Sequence, residues 1–433
     1  MGQLGSIVTG FVDNMMVGHY STEALAAASF CNNVFNMAIL CCMGFTMGIT
    51  PLVGALHSRR AQADIGATMR NAAWLNTLFC LGVMTVMTVL YFCVDRLGQP
   101  DELLPLIRPY YLTCLAGLLP LTLFNVFAQW SYGVTDTSMP MWIILGANVL
   151  NIGGNYALIF GHFGMPELGL TGAGISTFAA RLLSALAIVA MFCMARRNRG
   201  YRLGWRQARI TRPAMARLWH TSIPVSLQMT FETGSFSIAA VMCGTLGKVP
   251  LAAFQVLLIM GTLGFCVYYA IGAAVSVQVA NANGRGDRQG MRRNAWAGYH
   301  VLLVIMTVSS LTFVFGGRAI IHAFTDDPAV ISCAMSLIFP LVLYQLGDAT
   351  QINFANALRG TANVAPMLWI AFASYMVVGL AATYLFGFTL KGGIYGIFLS
   401  FSVSLFMAVA LFLYFFVRTT SARRANVSPT RLS

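Results

Sequence analysis

The sequence contains very little charge. Of its 433 residues, 9% are charged and 58% are hydrophobic, whereas roughly 25% of an average soluble domain is charged. Stretches such as 75–91 and 395–417 stay apolar for about the 20 residues that a helix needs to cross a bilayer. The composition therefore excludes an ordinary soluble protein and predicts an all-α integral membrane protein.

Motifs for disulfides, metal binding and enzyme catalysis are also missing. The ten cysteines lie mainly in apolar segments without CxxC spacing, and the six histidines form no HExxH motif or cluster. The cysteines are therefore interpreted as small hydrophobic residues and not as a disulfide or zinc framework. We predict that the protein is not an enzyme and needs no cofactor.

Most of the charge that is present is arginine, and the net charge is +13. Short clusters hold most of it, above all eight arginines between 196 and 217. This pattern is typical of cytoplasmic loops, which carry an excess of Lys and Arg. It predicts a multi-pass protein of the inner, cytoplasmic membrane with both termini in the cytoplasm. No aromatic-interleaved basic fold accompanies the charge, so nucleic acid is not expected as a partner.

The chain repeats itself at offsets of 222 to 227 residues. For example, Met69-Arg-Asn-Ala-Ala-Trp74 returns as Met291-Arg-Arg-Asn-Ala-Trp296. Turn signals divide the chain into about twelve helices, so the repeat predicts two six-helix lobes. Six is an even number, so both lobes enter the membrane from the same side, and we expect parallel repeats with a central cleft between them. The predicted domains are an N-lobe (1–195), an Arg-rich cytoplasmic linker (196–213), a C-lobe (214–418) and a cytoplasmic tail (419–433).

Three acidic residues lie inside predicted spans: Asp13, Glu232 and Asp348. A charge at the bilayer centre costs on the order of 3 kcal/mol on insertion scales, so such residues face a cavity, take a partner or hold a proton. Protons and metal cations compete for the same carboxylate, which offers a physical route to ion coupling. A purely structural role for any one acid is the alternative.

Polar residues accompany each acid at helical spacing. Tyr344 and Gln351 flank Asp348, Gln228 and Ser235 flank Glu232, and Asn148, Asn151 and Asn155 share one face of the predicted fifth helix. Pro340 is expected to loosen its helix and free backbone carbonyls near Asp348. Arg181, inside the predicted sixth helix, could pair with a carboxylate, but a structural role through carbonyl bonds is favoured.

Several strings together resemble the NorM-like branch of the multidrug and toxic compound extrusion (MATE) family. The strings are Gly10-Phe-Val-Asp13-Asn-Met-Met-Val-Gly18, Phe231-Glu232, Tyr344-Gln-Leu-Gly-Asp348 and Leu358-Arg-Gly360. The resemblance implies an antiporter that exports organic cations or drugs in exchange for Na⁺ or H⁺. It also implies a cation-coupling site at Glu232, Asp348 and Tyr344, with Glu232 and Asp348 as Na⁺ ligands. A proton or substrate site is implied at Asp13, Asn151 and Asn155.

The expected partners are small organic cations and the lipid bilayer, and no obligate protein partner is inferred. The main alternative is a flippase for lipid-linked saccharides or lipids with a related two-lobe fold. A flippase cavity should carry arginines that hold phosphate groups, and in the predicted spans Arg181 alone qualifies.

Overall fold

The computed structural model of the chain describes residues 2–96 and 100–421, which are helical without any strand. Most of the predicted tail, from 422 onward, lies outside the described residues. The first half holds α1 Gly2–Tyr20, α2 Thr22–Thr46, α3 Ile49–Ser58, α4 Gln62–Phe92, α5 Leu104–Gly133, α6 Ser138–Phe160, α7 Gly169–Met194, α8 Arg199–Gln207 and α9 Arg212–Gly244. The second half holds α10 Lys248–Arg285, α11 Arg288–His322, α12 Pro328–Ser336, α13 Ile338–Gly360, α14 Ala365–Ala371, α15 Leu380–Tyr384 and α16 Gly393–Ser421.

All twelve predicted segments are helical, so the twelve-helix layout is confirmed. Among the described residues, nine helical stretches are long and apolar enough to cross a membrane, and the bent pair α12 and α13 makes a tenth. The two remaining long segments are α1 and α9. Asp13 lies on α1, Glu232 on α9 and Asp348 on α13. None of these three helices by itself is apolar enough to count among the nine.

Some spans are broken or distorted. The sequence predicts one helix over about 24–56, but the structure interrupts it after Thr46, between α2 and α3. The chain also bends by 51° between α12 and α13. The span Ala365–Thr389, which includes α14 and α15, contains two π-helical stretches, Phe372–Gly379 and Leu385–Thr389. Such π-bulges are frequent at functional sites. The sequence analysis expected a loosened helix at Pro340, near the bend between α12 and α13, and predicted none of the other irregularities.

Two compact units, Met1–Gly234 and Ser235–Ser433, make up the chain. The boundary lies inside α9, because the first half of that helix packs closely on α2. A Cβ atom at Gly44 would lie 2.8 Å from the Cα atom of Ser226, and the Ser226 hydroxyl donates a hydrogen bond to the Cys41 carbonyl at 2.8 Å. Only glycine at position 44 lets the two backbones approach this far.

The predicted linker contains an element that the sequence pattern did not reveal. Residues 199–207 form the short helix α8, which packs against α4. On its inner side, Tyr201 meets Trp130 edge to face and Trp205 stacks near Phe127. Helix α8 is therefore part of the first unit and not a free connection.

Candidate functional site

Asp13 on α1 is bonded to a residue 142 positions away. The side-chain amide of Asn155 on α6 donates to Asp13 Oδ1 at 2.5 Å. Asn155 is completely buried and Asp13 is half-buried. Hydrogen bonds with a charged partner are shorter and stronger than neutral ones, so this contact stabilises the carboxylate form of Asp13.

The amide oxygen of Asn155 is buried, and no donor reaches it within the described part of the chain. A buried acceptor without a donor is costly unless another group satisfies it. The two oxygens of Asp13 and this amide oxygen therefore form a group of three hydrogen-bond acceptors, which suits a proton, an ammonium group or water as ligand.

Asn151 lies one helical turn before Asn155 but has different partners. Its amide donates to the hydroxyls of Ser176 at 3.4 Å and Thr177 at 3.2 Å on α7, and Ser176 donates back to the Asn151 carbonyl at 2.8 Å. The structure therefore brings Asn155 to Asp13, while Asn151 holds α6 against α7.

Arg181 on α7 is the basic residue of this region. Its guanidinium interacts electrostatically with Asp13, and with Tyr110 and Cys114 on α5. The side chain runs directly over Gly117, where a Cβ atom would lie 3.0 Å from Nη1 and 3.4 Å from Cδ. Because residue 117 on α5 is glycine, there is room for the Arg181 side chain beside it. The positive charge of Arg181 opposes the binding of a second cation at Asp13.

Glu232 lies on α9 near the end of the first unit. Its carboxylate accepts a hydrogen bond from the Gln228 amide at 3.1 Å, one turn earlier on the same helix. Gln228 is buried and Glu232 is half-buried. The sequence spacing predicted this pair of side chains, and the structure confirms it.

Asp348 and Tyr344 belong to the second unit, on α13. Asp348 is 2% exposed, and Tyr268 on α10 lies within electrostatic range of it. Tyr344 packs edge to face on Phe236 with 6.0 Å between ring centroids. Gln351 is also buried, and its Oε1 atom receives no hydrogen bond from any described residue.

A polar cluster next to Asp348 was missed by the sequence analysis. Gln345 Oε1 accepts hydrogen bonds from Tyr268 at 3.3 Å and from Ser309 at 3.2 Å, which join α10, α11 and α13. Gln345 stands at i−3 from Asp348, a helical spacing that could have identified it. Ser309 carries no comparable sequence signal, because its contact depends on how α11 packs.

The expectation for Pro340 holds in part: the chain bends by 51° between α12 and α13, just before Pro340, but the carbonyl that proline frees is not near Asp348. Proline lacks an N–H group, so the carbonyl that it leaves without a helical donor is four residues earlier, at Ser336. Ser336 lies twelve residues before Asp348, about 18 Å along a helix. The bend itself is at Leu337, and Pro340 stands in the first turn of α13, where proline is well tolerated.

The MatE family model matches residues 1–157 and 224–385. The chain belongs to the MatE family. All of the predicted site residues fall within the matched ranges, whereas Arg181 and the arginine-rich stretch fall between them. The predicted family is thereby confirmed, its NorM-like branch is confirmed by the curated relatives described next, and the all-helical fold is confirmed by the structure. The MatE chain is a membrane protein of a transporter family.

Curated relatives cover nearly the whole chain. The probable multidrug resistance protein NorM of Xylella fastidiosa (strain Temecula1) is 29% identical over 426 residues, 98% of this chain and 90% of its own length. The protein of the same name from Xanthomonas axonopodis pv. citri (strain 306) is 29% identical over 391 residues, 88% of this chain and 83% of its own.

Solved structures share the fold at lower identity. The crystal structure of MATE in complex with MaD3S has a TM-score of 0.87 and 17% identity, covering 96% of this chain and 93% of that one. The eukaryotic MATE transporter AtDTX14 has a TM-score of 0.83 and 18% identity, covering 96% and 94%. This likeness supports the same helical architecture for the MatE chain.

Proposed function

We propose that the protein is a secondary active antiporter that exports organic cations or drugs by alternating access. The exchange ion is Na⁺ or H⁺. The observation that carries the proposal is the Asn155–Asp13 hydrogen bond inside apolar helices. A half-buried carboxylate held by a neutral amide can exchange its partner for a proton or a cation, and this exchange is what coupled transport requires.

Both protonation states of Asp13 fit the contact. A carboxylate accepts from the Asn155 amide nitrogen, as observed. A protonated carboxyl can instead donate to the amide oxygen after the amide group turns by half a rotation, because its nitrogen and oxygen occupy similar positions. The Asn155–Asp13 pair can therefore keep one hydrogen bond in both protonation states of Asp13.

Glu232 and Asp348, with Tyr344, are proposed as the residues that couple transport to the exchange ion. Their support is the placement of one carboxylate on each of two long helices: Glu232 is the single acid of α9, and Asp348 is the single acid of α13, which also carries Tyr344. One charge that crosses 100 mV supplies about 2.3 kcal/mol, enough for an approximately 45-fold concentration ratio at 1.4 kcal/mol per tenfold. A single coupled charge is thus sufficient to drive substrate accumulation.

The flippase alternative has less support. Phosphate groups would need arginines that are available to bind them, and Arg181 already interacts with Asp13. The names of the curated relatives also point to drug resistance. A transporter for cationic drugs therefore fits the observations better than a lipid carrier.

The proposal can be tested with the purified protein in sealed proteoliposomes. Efflux of a fluorescent organic cation is measured under a sodium gradient alone and under a proton gradient alone, for the wild type, Glu232→Gln and Asp348→Asn. The exposed acids provide matched controls, Glu23→Gln and Asp326→Asn. We expect at least a tenfold loss in the two test variants and wild-type rates in the controls.

Two results would contradict the proposal. Wild-type rates in both test variants would exclude the coupling roles of Glu232 and Asp348. Efflux that proceeds equally well without either gradient would exclude secondary antiport.

A further inference from the structure

The arginine-rich stretch between α7 and α9 has a rigid inner face. On α8, Gly204 faces the backbone carbonyl of Ala63, and on α4, Gly66 faces the backbone carbonyl of Tyr201. At both places a Cβ atom would fall well inside van der Waals contact. The two backbones approach closely because both positions are glycine.

Hydrogen bonds from α4 hold the end of α8 as well. Arg70 Nη1 donates to the Ala208 carbonyl at 2.7 Å and to the Trp205 carbonyl at 3.2 Å. The backbone N–H of Thr211 donates to Asn71 Oδ1 at 3.2 Å. The two Arg70 bonds satisfy carbonyls at the end of α8, and all three bonds fix the position of the chain that follows.

The outer face of the same stretch is positively charged. Eight arginines and no acidic residue occur between 196 and 217. Arg197 pairs with Asp136, and Arg202 donates to the Cys193 carbonyl. Six further arginines are exposed, and no acidic side chain pairs with them within the described parts of the chain. Four of them, Arg199, Arg206, Arg209 and Arg212, are here called the outer arginines.

Exposed apolar side chains lie among the outer arginines. Leu203 is 49% exposed and Ile210 is 42% exposed. The stretch connects the end of α7 at Met194 to the start of α9 at Arg212, so it lies where two spans leave the membrane. Arginines interspersed with apolar residues at this level are typical of helices that lie in the headgroup region.

We propose that the outer arginines, with Leu203 and Ile210, form a binding site for the headgroups of anionic phospholipids. The planar guanidinium group binds a phosphate through two parallel hydrogen bonds, which an ammonium group cannot do. The apolar side chains enter the acyl boundary beside the headgroup. Because the inner face is fixed to α4, the backbone that carries the arginines is held in place before lipid binds, which lowers the entropic cost of binding.

The lipid site is independent of the proposed antiport. It depends on the outer face of α8 and on the segment up to Arg212, and it involves none of the acids Asp13, Glu232 and Asp348. The stretch also lies within residues 158–223, outside the ranges that the family model matches.

Native mass spectrometry of the full-length protein in mixed micelles can test the site. The probes are phosphatidylglycerol and phosphatidylcholine, and the test variant is Arg199→Gln/Arg206→Gln/Arg209→Gln. The matched control is Arg285→Gln/Arg293→Gln/Arg418→Gln, which removes three exposed arginines and the same total charge. All substituted side chains of the test variant are exposed, and its thermal melting curve checks that it folds.

The wild type and the control should bind phosphatidylglycerol in preference to phosphatidylcholine. The test variant should lose affinity at least tenfold, since each basic residue near an anionic surface contributes about fivefold. A version with lysine at the same three positions should fall between the two, because it keeps the charge and loses the paired hydrogen bonds. Equal phosphatidylglycerol binding by the test and control variants would overturn the proposal.

Competitors separate lipid from other anions. Inorganic phosphate at 50-fold excess over lipid should leave the phosphatidylglycerol peak unchanged, because it lacks the acyl chains that contact Leu203 and Ile210. Complete displacement by phosphate, or by an oligonucleotide, would show that the surface binds soluble anions and would refute the lipid assignment.

Discussion

The side chains of Asn155 and Asp13 meet at 2.5 Å, although 142 residues separate them in the chain. The contact joins α6 to α1 and places a neutral amide on a carboxylate inside apolar helices. Asn151, one turn earlier on α6, is instead bonded to α7. Two asparagines that share a helix face thus have separate tasks.

Asn155→Ala should therefore reduce transport more than Asn151→Ala. A hydrogen bond to a charged group contributes about 1.5 to 3 kcal/mol, so we expect roughly a tenfold to hundredfold lower transport rate for Asn155→Ala. Asn151→Ala should mainly lower the melting temperature, because it releases α6 from α7. Efflux from proteoliposomes and thermal melting distinguish the two. Equal loss of transport in both variants at equal stability would contradict the separation of tasks.

Arg181→Gln should make Asp13 hold a cation more tightly. Without the guanidinium, nothing on α7 repels a positive substrate, so the apparent KM for a cationic drug should fall roughly threefold to tenfold while the maximal rate also falls. The matched control is Arg318→Gln, on an exposed arginine. Initial rates over a range of drug concentrations give both constants. An increased KM would show that Arg181 does not oppose cations at Asp13.

Gly117→Ala provides an independent test of how the Arg181 charge affects cation binding at Asp13. The new methyl group would lie 3.0 Å from Arg181 Nη1 and displace the side chain, so the kinetic change should have the same direction as in Arg181→Gln. Gly82→Ala is the control, because a Cβ atom there meets no other atom within 4 Å. Unchanged kinetics in Gly117→Ala would contradict the path assigned to Arg181.

Gln345→Ala should destabilise the second unit more than Tyr268→Phe or Ser309→Ala does. The first change leaves the buried Tyr268 hydroxyl and the half-buried Ser309 hydroxyl without their acceptor, at about 1 to 3 kcal/mol for the buried one, while each of the others removes one hydrogen bond of about 1 kcal/mol. Melting temperatures of the purified variants should follow that order. Gln289→Ala, at an exposed position, is the control. A smaller effect for Gln345→Ala than for Tyr268→Phe would argue against the cluster.

Gly66→Ala should disrupt the attachment of α8 to α4. The added methyl group would collide with the carbonyl of Tyr201, and overpacking of this kind costs about 1 to 3 kcal/mol. We expect faster proteolysis after the arginines near α8, measured by limited trypsin digestion. Gly82→Ala again serves as the control, and an unchanged digestion pattern would show that α8 is held by other contacts.

Much of the fold could be predicted from the sequence because the bilayer restricts the possible structures. Spanning segments must satisfy their backbone hydrogen bonds internally, so long apolar stretches become helices. The acids Asp13, Glu232 and Asp348 stood out for the same reason, since few charges occur in these helices. Helical periodicity also gave the contact of Gln228 with Glu232, because both residues are on one helix and one turn apart.

Contacts between helices could not be predicted in this way. Periodicity places Asn151 and Asn155 on one face of α6, but the positions of α1 and α7 around it decide which of them reaches Asp13. The same limit hid the contacts of Gln345, the path of Arg181 over Gly117 and the docking of α8.

The amino-acid sequence by itself determined that the chain spans a membrane with twelve helices, which of them carry acids, and that it resembles a drug-transporter family. These properties depend on composition, periodicity and local spacing. The tertiary structure decided the partners of those acids, because a partner 142 residues away depends on how helices pack. It also showed that Arg181 interacts electrostatically with Asp13, so this site contains charges of both signs.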